Sequence, residues 1–257
     1  MNTKLISDRA LTLINQYKNF QVANAICSVP YFNNSRTGLR GAMRAEVGKG
    51  SPKDIYEEVE QITVKGRIDT NVFNNETLKK FLVEKNLGID CSAFAYYILN
   101  EESQAREKGT LDRHLAFPFA SGFLGSFKSK MRPVENADVR TLAHEKNSKI
   151  IELKNVEPGD IITMMQKDTP APNHILVIHQ IEYQNFLPIT IHYTHAMAWP
   201  SDGLYGHGIH EGKIEILDIS KKMIDQYWIE LEKTGPENYT FARAQNSTTE
   251  LRRMRFL

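Results

Sequence analysis

The hydrophobic period of this chain changes once, near its middle, and that change restricts the possible folds more than any other feature. Up to about residue 105 the apolar residues recur every three to four positions, as on one face of a helix. Ser7 or Asp8 can cap a first helix carrying Leu11, Ile14 and Tyr17. Ser51-Pro52-Lys53-Asp54 starts a second: the serine accepts from orphan amides, proline suits the first turn, and Ile55, Val59 and Ile62 share a face. A third spans Glu76 to Glu84 with Leu78, Phe81 and Leu82 buried and Gly88 as its stop. A fourth runs from Asp90 to about Glu102 with Phe94, Ala95, Ile98 and Leu99 inward. From about residue 149 the pattern becomes short runs rich in isoleucine and valine: KIIEL, DIITMM, HILVIHQIEY, LPITIHYTH and KIEILDI, with YTFARA read as a further strand. Helices first and antiparallel strands afterwards predict an α+β fold, its helical N-terminal half packed on an antiparallel sheet.

The 257 residues hold no internal repeat, low-complexity tract or linker, so the expectation is one domain spanning 1–257. It divides into an N-terminal helical extension (about 1–87), a core (about 88–219) containing an insertion (about 110–148), and a C-terminal extension. Within the insertion Phe117, Phe119, Phe123 and Phe127 sit among glycine, proline and serine, which suggests a packed surface element, with a lid over a cleft as the alternative. Arg252, Arg253 and Arg255 read as a solvated end.

Thirty-two basic against 31 acidic residues leave a formal charge of +1, too little excess to neutralise phosphates, so no nucleic-acid partner is expected. No run approaches the ~20 apolar residues that span a bilayer, so no membrane insertion is expected either. The N-terminus is charged throughout and lacks the apolar core of a secretory signal, which predicts a cytoplasmic protein, or one of the cell envelope if the sequence is a trimmed form. Cys27 and Cys91 allow at most one disulfide. The stretch 28–50 resembles a phosphate loop, but the register fails: glycine would be needed at Met43, and Gly50 stands where serine or threonine is required. Arg36, Arg40 and Arg44 in that stretch read as solvated surface rather than contacts to an anionic substrate.

The chemistry concentrates in Gly88-Ile89-Asp90-Cys91-Ser92-Ala93-Phe94. If Asp90 caps the following helix, Cys91 falls in its first turn, where unpaired amides and the positive dipole end favour a thiolate and can hold an oxyanion. Glu157-Pro158-Gly159-Asp160 is a turn feeding a strand, and Asn173-His174 opens the next one. The strand after that ends in His195, able to orient His174 by a ring hydrogen bond. His192 lies on the opposite face from His195 by strand alternation and is the alternative orienter; His179 reads as structural.

The order of these blocks resembles the NlpC/P60 cysteine peptidases, a reduced papain-like family, many of whose members cut peptide stems of bacterial peptidoglycan. The family signature is aspartate, cysteine, serine, glycine before an apolar helix; then proline, glycine, aspartate; then histidine, valine, glycine; then a third polar residue. Here Ala93 stands in place of the glycine, and Ile175 and Leu176 in place of valine and glycine. The resemblance implies a thiol protease or amidase without cofactor: Cys91 as nucleophile, His174 as base and then acid, His195 as orienter, and a small peptide or cell-wall peptide as substrate. Tyr31, in Val29-Pro30-Tyr31-Phe32, matches the family's proline-tyrosine motif and would line the substrate site.

Two other readings stand beside it. One is a non-catalytic module that uses the same groove to capture a ligand. The other is a metal-dependent hydrolase, since six of the eight histidines lie between residues 174 and 210, including His192/His195 and His207/His210 pairs. No HExxH motif or paired cysteines accompany them, and no metal is expected.

Overall fold

Local capping chemistry sets the helix starts in the computed structural model, which describes residues 2–33, 43–166, 173–231, 233–234 and 238–257. Helix α1 (Asp8–Lys18) begins behind Ser7, whose hydroxyl accepts from the Ala10 N–H. Helix α2 (Pro52–Gly66) follows a reciprocal box between Ser51 and Asp54, and α3 (Asn75–Glu84) one between Asn74 and Thr77. Helix α4 (Cys91–Ala105) starts at Asp90, whose carboxylate accepts from the Ala93 N–H at 2.8 Å. Its buried stripe packs on α1, where Tyr17 meets Phe94 edge to face with ring centroids 5.2 Å apart.

The fold is α+β with antiparallel strand pairs in its main sheet. The strands are β1 (Asn2–Leu5), a small hairpin of β2 (Phe20–Val22) and β3 (Ala25–Cys27), then β4 (Ser148–Ile150), β5 (Ile161–Met165), β6 (His174–Gln184) and β7 (Leu187–Met197). After them come β8 (Gly208–Glu215), β9 (Tyr227–Glu230), β10 (Lys233–Thr234) and β11 (Thr248–Met254). Among the described residues the main sheet has nine strands, ordered β10-β9-β8-β7-β6-β5-β11-β4, with β1 also on β6. One edge of β6 pairs with β7; the other is shared, β5 opposite His174 to Val177 and β1 opposite Gln180 to Tyr183.

Strand alternation divides the interior. Ile175, Val177 and Ala196 join the cluster that contains Phe94, Leu99 and the other helix residues. Leu176, Ile178 and Tyr193 join a second cluster with Met223, Trp228 and Leu251.

Four readings are corrected. YTFARA is not a strand but helix α8 (Tyr239–Gln245), because Asn238 caps it by accepting from the Phe241 N–H at 2.9 Å. The arginine-rich end is solvated only at Arg255; Arg252 and Arg253 lie in β11, inserted between β5 and β4. There Arg252 is only 2% exposed and pairs with Glu145 and Glu250. Arg253 holds Asp160 through two bonds of 2.7 and 2.9 Å, anchoring the Pro158-Gly159-Asp160 turn in which Gly159 has φ +94°. Third, only Lys213-Ile214-Glu215 of KIEILDI is strand, the end of β8, which starts at Gly208. Fourth, the segment after Gly109 is more than a surface element. It carries helices α5 (Gly122–Met131), α6 (Pro133–Asn136) and α7 (Val139–Ala143), and Leu111, Leu115, Val134 and Leu142 enter the first cluster. Phe119 and Phe127 are exposed, and Phe119 lies edge-on to His144.

Arg44 pairs with Glu135 at 3.1 Å, whereas Arg36 and Arg40 lie outside the described residues. Among the described residues no helix is long and apolar enough to cross a membrane.

Candidate active site

Cys91 is the first residue of α4 and 6% exposed. The loop before it is fixed from beneath. Gly48 (φ +72°) passes so close to Phe32 that a Cβ would sit 2.1 Å from its carbonyl oxygen, and this lets the Gly48 carbonyl accept the Asp90 N–H at 2.8 Å. Lys49 then reaches Asp90 Oδ2 at 2.7 Å and donates to Ser92 Oγ at 2.9 Å. The cap is thus held by an ion pair as well as by its own helix.

The backbone N–H of Ile175, the residue after His174, bears on the Cys91 sulfur and lowers its thiol pKa. The β6–β7 ladder begins only at Val177 and Thr194, so the two strands part at the end that carries His174. Into that opening His174 and His195 turn toward each other: His174 Nε2 lies 2.9 Å from His195 Nδ1, with the rings at 78°. Both histidines are fully buried. His174 Nδ1 is buried and has no hydrogen-bond partner among the described residues, so ring and thiol are not joined by a hydrogen bond here. Trp199 flanks the pair, its ring centroid 6.0 Å from that of His174.

The expectation of a resting thiolate is not met. Burial pushes the Cys91 thiol up to about 12 and the Asp90 carboxylate adds to the rise, against the opposing pull of Lys49, Arg243 and the Ile175 N–H. Burial also holds His174 well below its ordinary value, with His195, Arg243 and His210 acting in the same sense. Both groups therefore rest neutral, because the interior penalises each charge before either has a counter-ion.

Tyr31 is buried near Cys91 and senses the charges of Cys91 and Arg243. Its backbone pairs with Ile89, its N–H donates to His207 Nδ1 at 3.1 Å, and its hydroxyl accepts from Asn33. A cavity of about 360 Å³ opens on its side, walled by Phe32, Leu82, Leu87, Ala198, Leu204 and His207.

His192, the alternative orienter, does not meet His174: its Nε2 lies 2.9 Å from Glu182 and its ring lies near His179. His207 is engaged by Tyr31, whereas His210 stacks on His195 with ring centroids 5.5 Å apart and faces Asp202. Among the described residues no group of three or more His, Cys, Asp or Glu could hold a metal ion.

Three charged groups escaped the sequence reading. Lys49 lies in a loop with no periodic signal. Arg243 sits in the segment read as a strand, yet its charge bears on Cys91, Tyr31 and His174 together. Glu230 ends a strand of four residues and is 3% exposed behind His195. Only the alternation in Tyr227-Trp228-Ile229-Glu230 could have drawn attention to it.

No family model, no curated protein and no solved structure matches this chain.

Proposed function

We propose that the protein is a cysteine hydrolase of the papain-like, NlpC/P60-like kind, which cleaves an amide bond through a thioacyl intermediate. The observation that carries this reading is the state of His174. One of its ring nitrogens is held by His195 at 2.9 Å, the other is buried without a hydrogen-bond partner among the described residues, and the N–H of the next residue acts on the Cys91 thiol.

From a neutral pair the reaction starts by general-base catalysis. As the Cys91 sulfur attacks the substrate carbonyl, its proton passes to His174 Nδ1, and the Cys91 amide at the helix tip stabilises the oxyanion. His174 then protonates the leaving amine as the C–N bond breaks, giving a thioester. Water attacks the thioester, His174 takes its proton, and the carboxylic acid and free thiol are regenerated. His195 keeps the ring in place and disperses its charge while it is protonated. Tyr31 and the cavity beside it would receive the substrate, for which a peptide of the peptidoglycan type is the leading candidate.

A second reading, capture of such a peptide without turnover, draws on the rise that burial imposes on the Cys91 thiol. The two are separated by incubating the protein and its Cys91→Ala variant with peptidoglycan fragments and peptides containing D-amino acids, followed by mass spectrometry. Hydrolysis by the wild type, lost in the variant with an unchanged melting temperature, is the expected result. Binding without any product supports capture, and hydrolysis by Cys91→Ala within a few-fold of wild type removes the nucleophile assignment.

A further inference from the structure

Glu230 is a carboxylate buried on β9 whose ion-pair partners among the described residues are not lysine or arginine but two histidines. Its Oε1 lies 3.3 Å from His195 Nε2, close enough to pair although not aligned as a hydrogen bond, and 3.5 Å from His210 Nδ1. Tyr193 donates its hydroxyl to Oε2 at 3.3 Å. A carboxylate taken out of water costs several kcal/mol unless donors compensate it, and here the donors belong to the ring that backs the candidate base.

We propose that Glu230 is a positioning residue which acts on Cys91 through both imidazoles, by fixing their tautomers. The inference rests on the reading of Cys91 and His174 given above. A carboxylate only accepts, so it selects the His195 tautomer protonated at Nε2. His195 Nδ1 is then a lone pair, and the 2.9 Å contact must be donated by His174 Nε2–H. His174 Nδ1 is left as a lone pair, which is the form a general base needs. When His174 takes the thiol proton, the resulting cation is stabilised by the same line of dipoles ending on a negative charge.

Glu230 stays ionised in this setting: burial favours its neutral form, but His195, Thr240 and His210 outweigh it and hold the carboxyl at about 2. The other charged and titratable groups around the two rings are Tyr193 on β7, His210 on β8 and Arg243 on α8. Asp202 lies behind, 3.2 Å from His210 Nε2, and it accepts the Trp199 N–H at 2.6 Å.

The test follows iodoacetamide alkylation of the Cys91 peptide against pH by mass spectrometry, which separates it from Cys27. Between the two pKa values, transfer of the thiol proton to His174 gives a reactive fraction independent of pH, hence a rate plateau. In Glu230→Gln that plateau falls about ten-fold, one pKa unit of lost imidazolium stabilisation; in His174→Ala it vanishes. If Glu230→Gln overlays the wild type while His174→Ala loses the plateau, the role of Glu230 is overturned and the base assignment survives. If His174→Ala overlays the wild type, the base assignment falls and the Glu230 proposal with it. Should Glu230→Gln not fold, the ¹⁵N shifts of the wild-type rings decide: protons on Nε2 of both His174 and His195 support the proposal, and a proton on either Nδ1 overturns it.

Discussion

Lys49 Nζ lies 2.7 Å from Asp90 Oδ2 directly beneath the residue that starts α4, so one ion pair both holds the helix cap and sets the field at Cys91. The two partners act on the sulfur with opposite sign. Asp90 disfavours a thiolate, whereas Lys49 and, from α8, Arg243 favour it.

Asp90→Asn keeps a side chain that can cap the helix but removes the carboxylate, so the Cys91 thiol pKa falls and alkylation at pH 8 accelerates. The same change leaves the nearly buried Lys49 without its counter-ion, at a cost of about 3 kcal/mol in urea denaturation. Arg243→Gln shifts the thiol the other way, and alkylation slows.

Acid lowers stability through buried neutral histidines. The unfolded chain binds protons near the ordinary value of 6.5, whereas burial holds His174 well below it and His179 at about 4, despite the opposing charge of Glu211. Below pH 6.5 the unfolded state therefore binds more protons than the folded one, and stability falls as pH falls. Each histidine contributes a slope of up to about 1.4 kcal/mol per pH unit, ending near pH 4 for His179. The Glu230 contribution is present above its ordinary value of 4.5 and is lost only as pH drops toward about 2. Urea titrations at pH 7, 6 and 5 check the sign: stability lowest at pH 5, with a shallower slope in His179→Gln.

Asp160→Ala removes the doubly bonded partner of Arg253 and frees the turn before β5. The expected loss is about 3 kcal/mol, read as a lower urea midpoint. The pH profile of Cys91 alkylation stays as in wild type, because Asp160 serves the fold and does not touch the sulfur.

What could be read in advance follows from the range of the forces involved. Cys91 at a capped helix tip was legible because Asp90 and Ala93 lie within one turn, and the starts at Ser7 and Ser51 are of the same kind. His174 at the head of a strand and His195 near the end of the next were legible because residues beside a hairpin are close in sequence. YTFARA misled because aromatic and β-branched residues favour strands only when a partner strand is available, and the Asn238 cap took the segment into a helix instead.

The sequence by itself thus determined the first four helices, the change to antiparallel strands and the position of Cys91 at a helix start, all set by neighbours within a few residues. Tertiary structure decided which histidine meets His174, that Glu230 and Arg243 join them, and that β11 enters the sheet between β5 and β4. It also decided the charge state of the site. Strand register brings together groups distant along the chain, and the burial it creates holds Cys91 and His174 each in its neutral form.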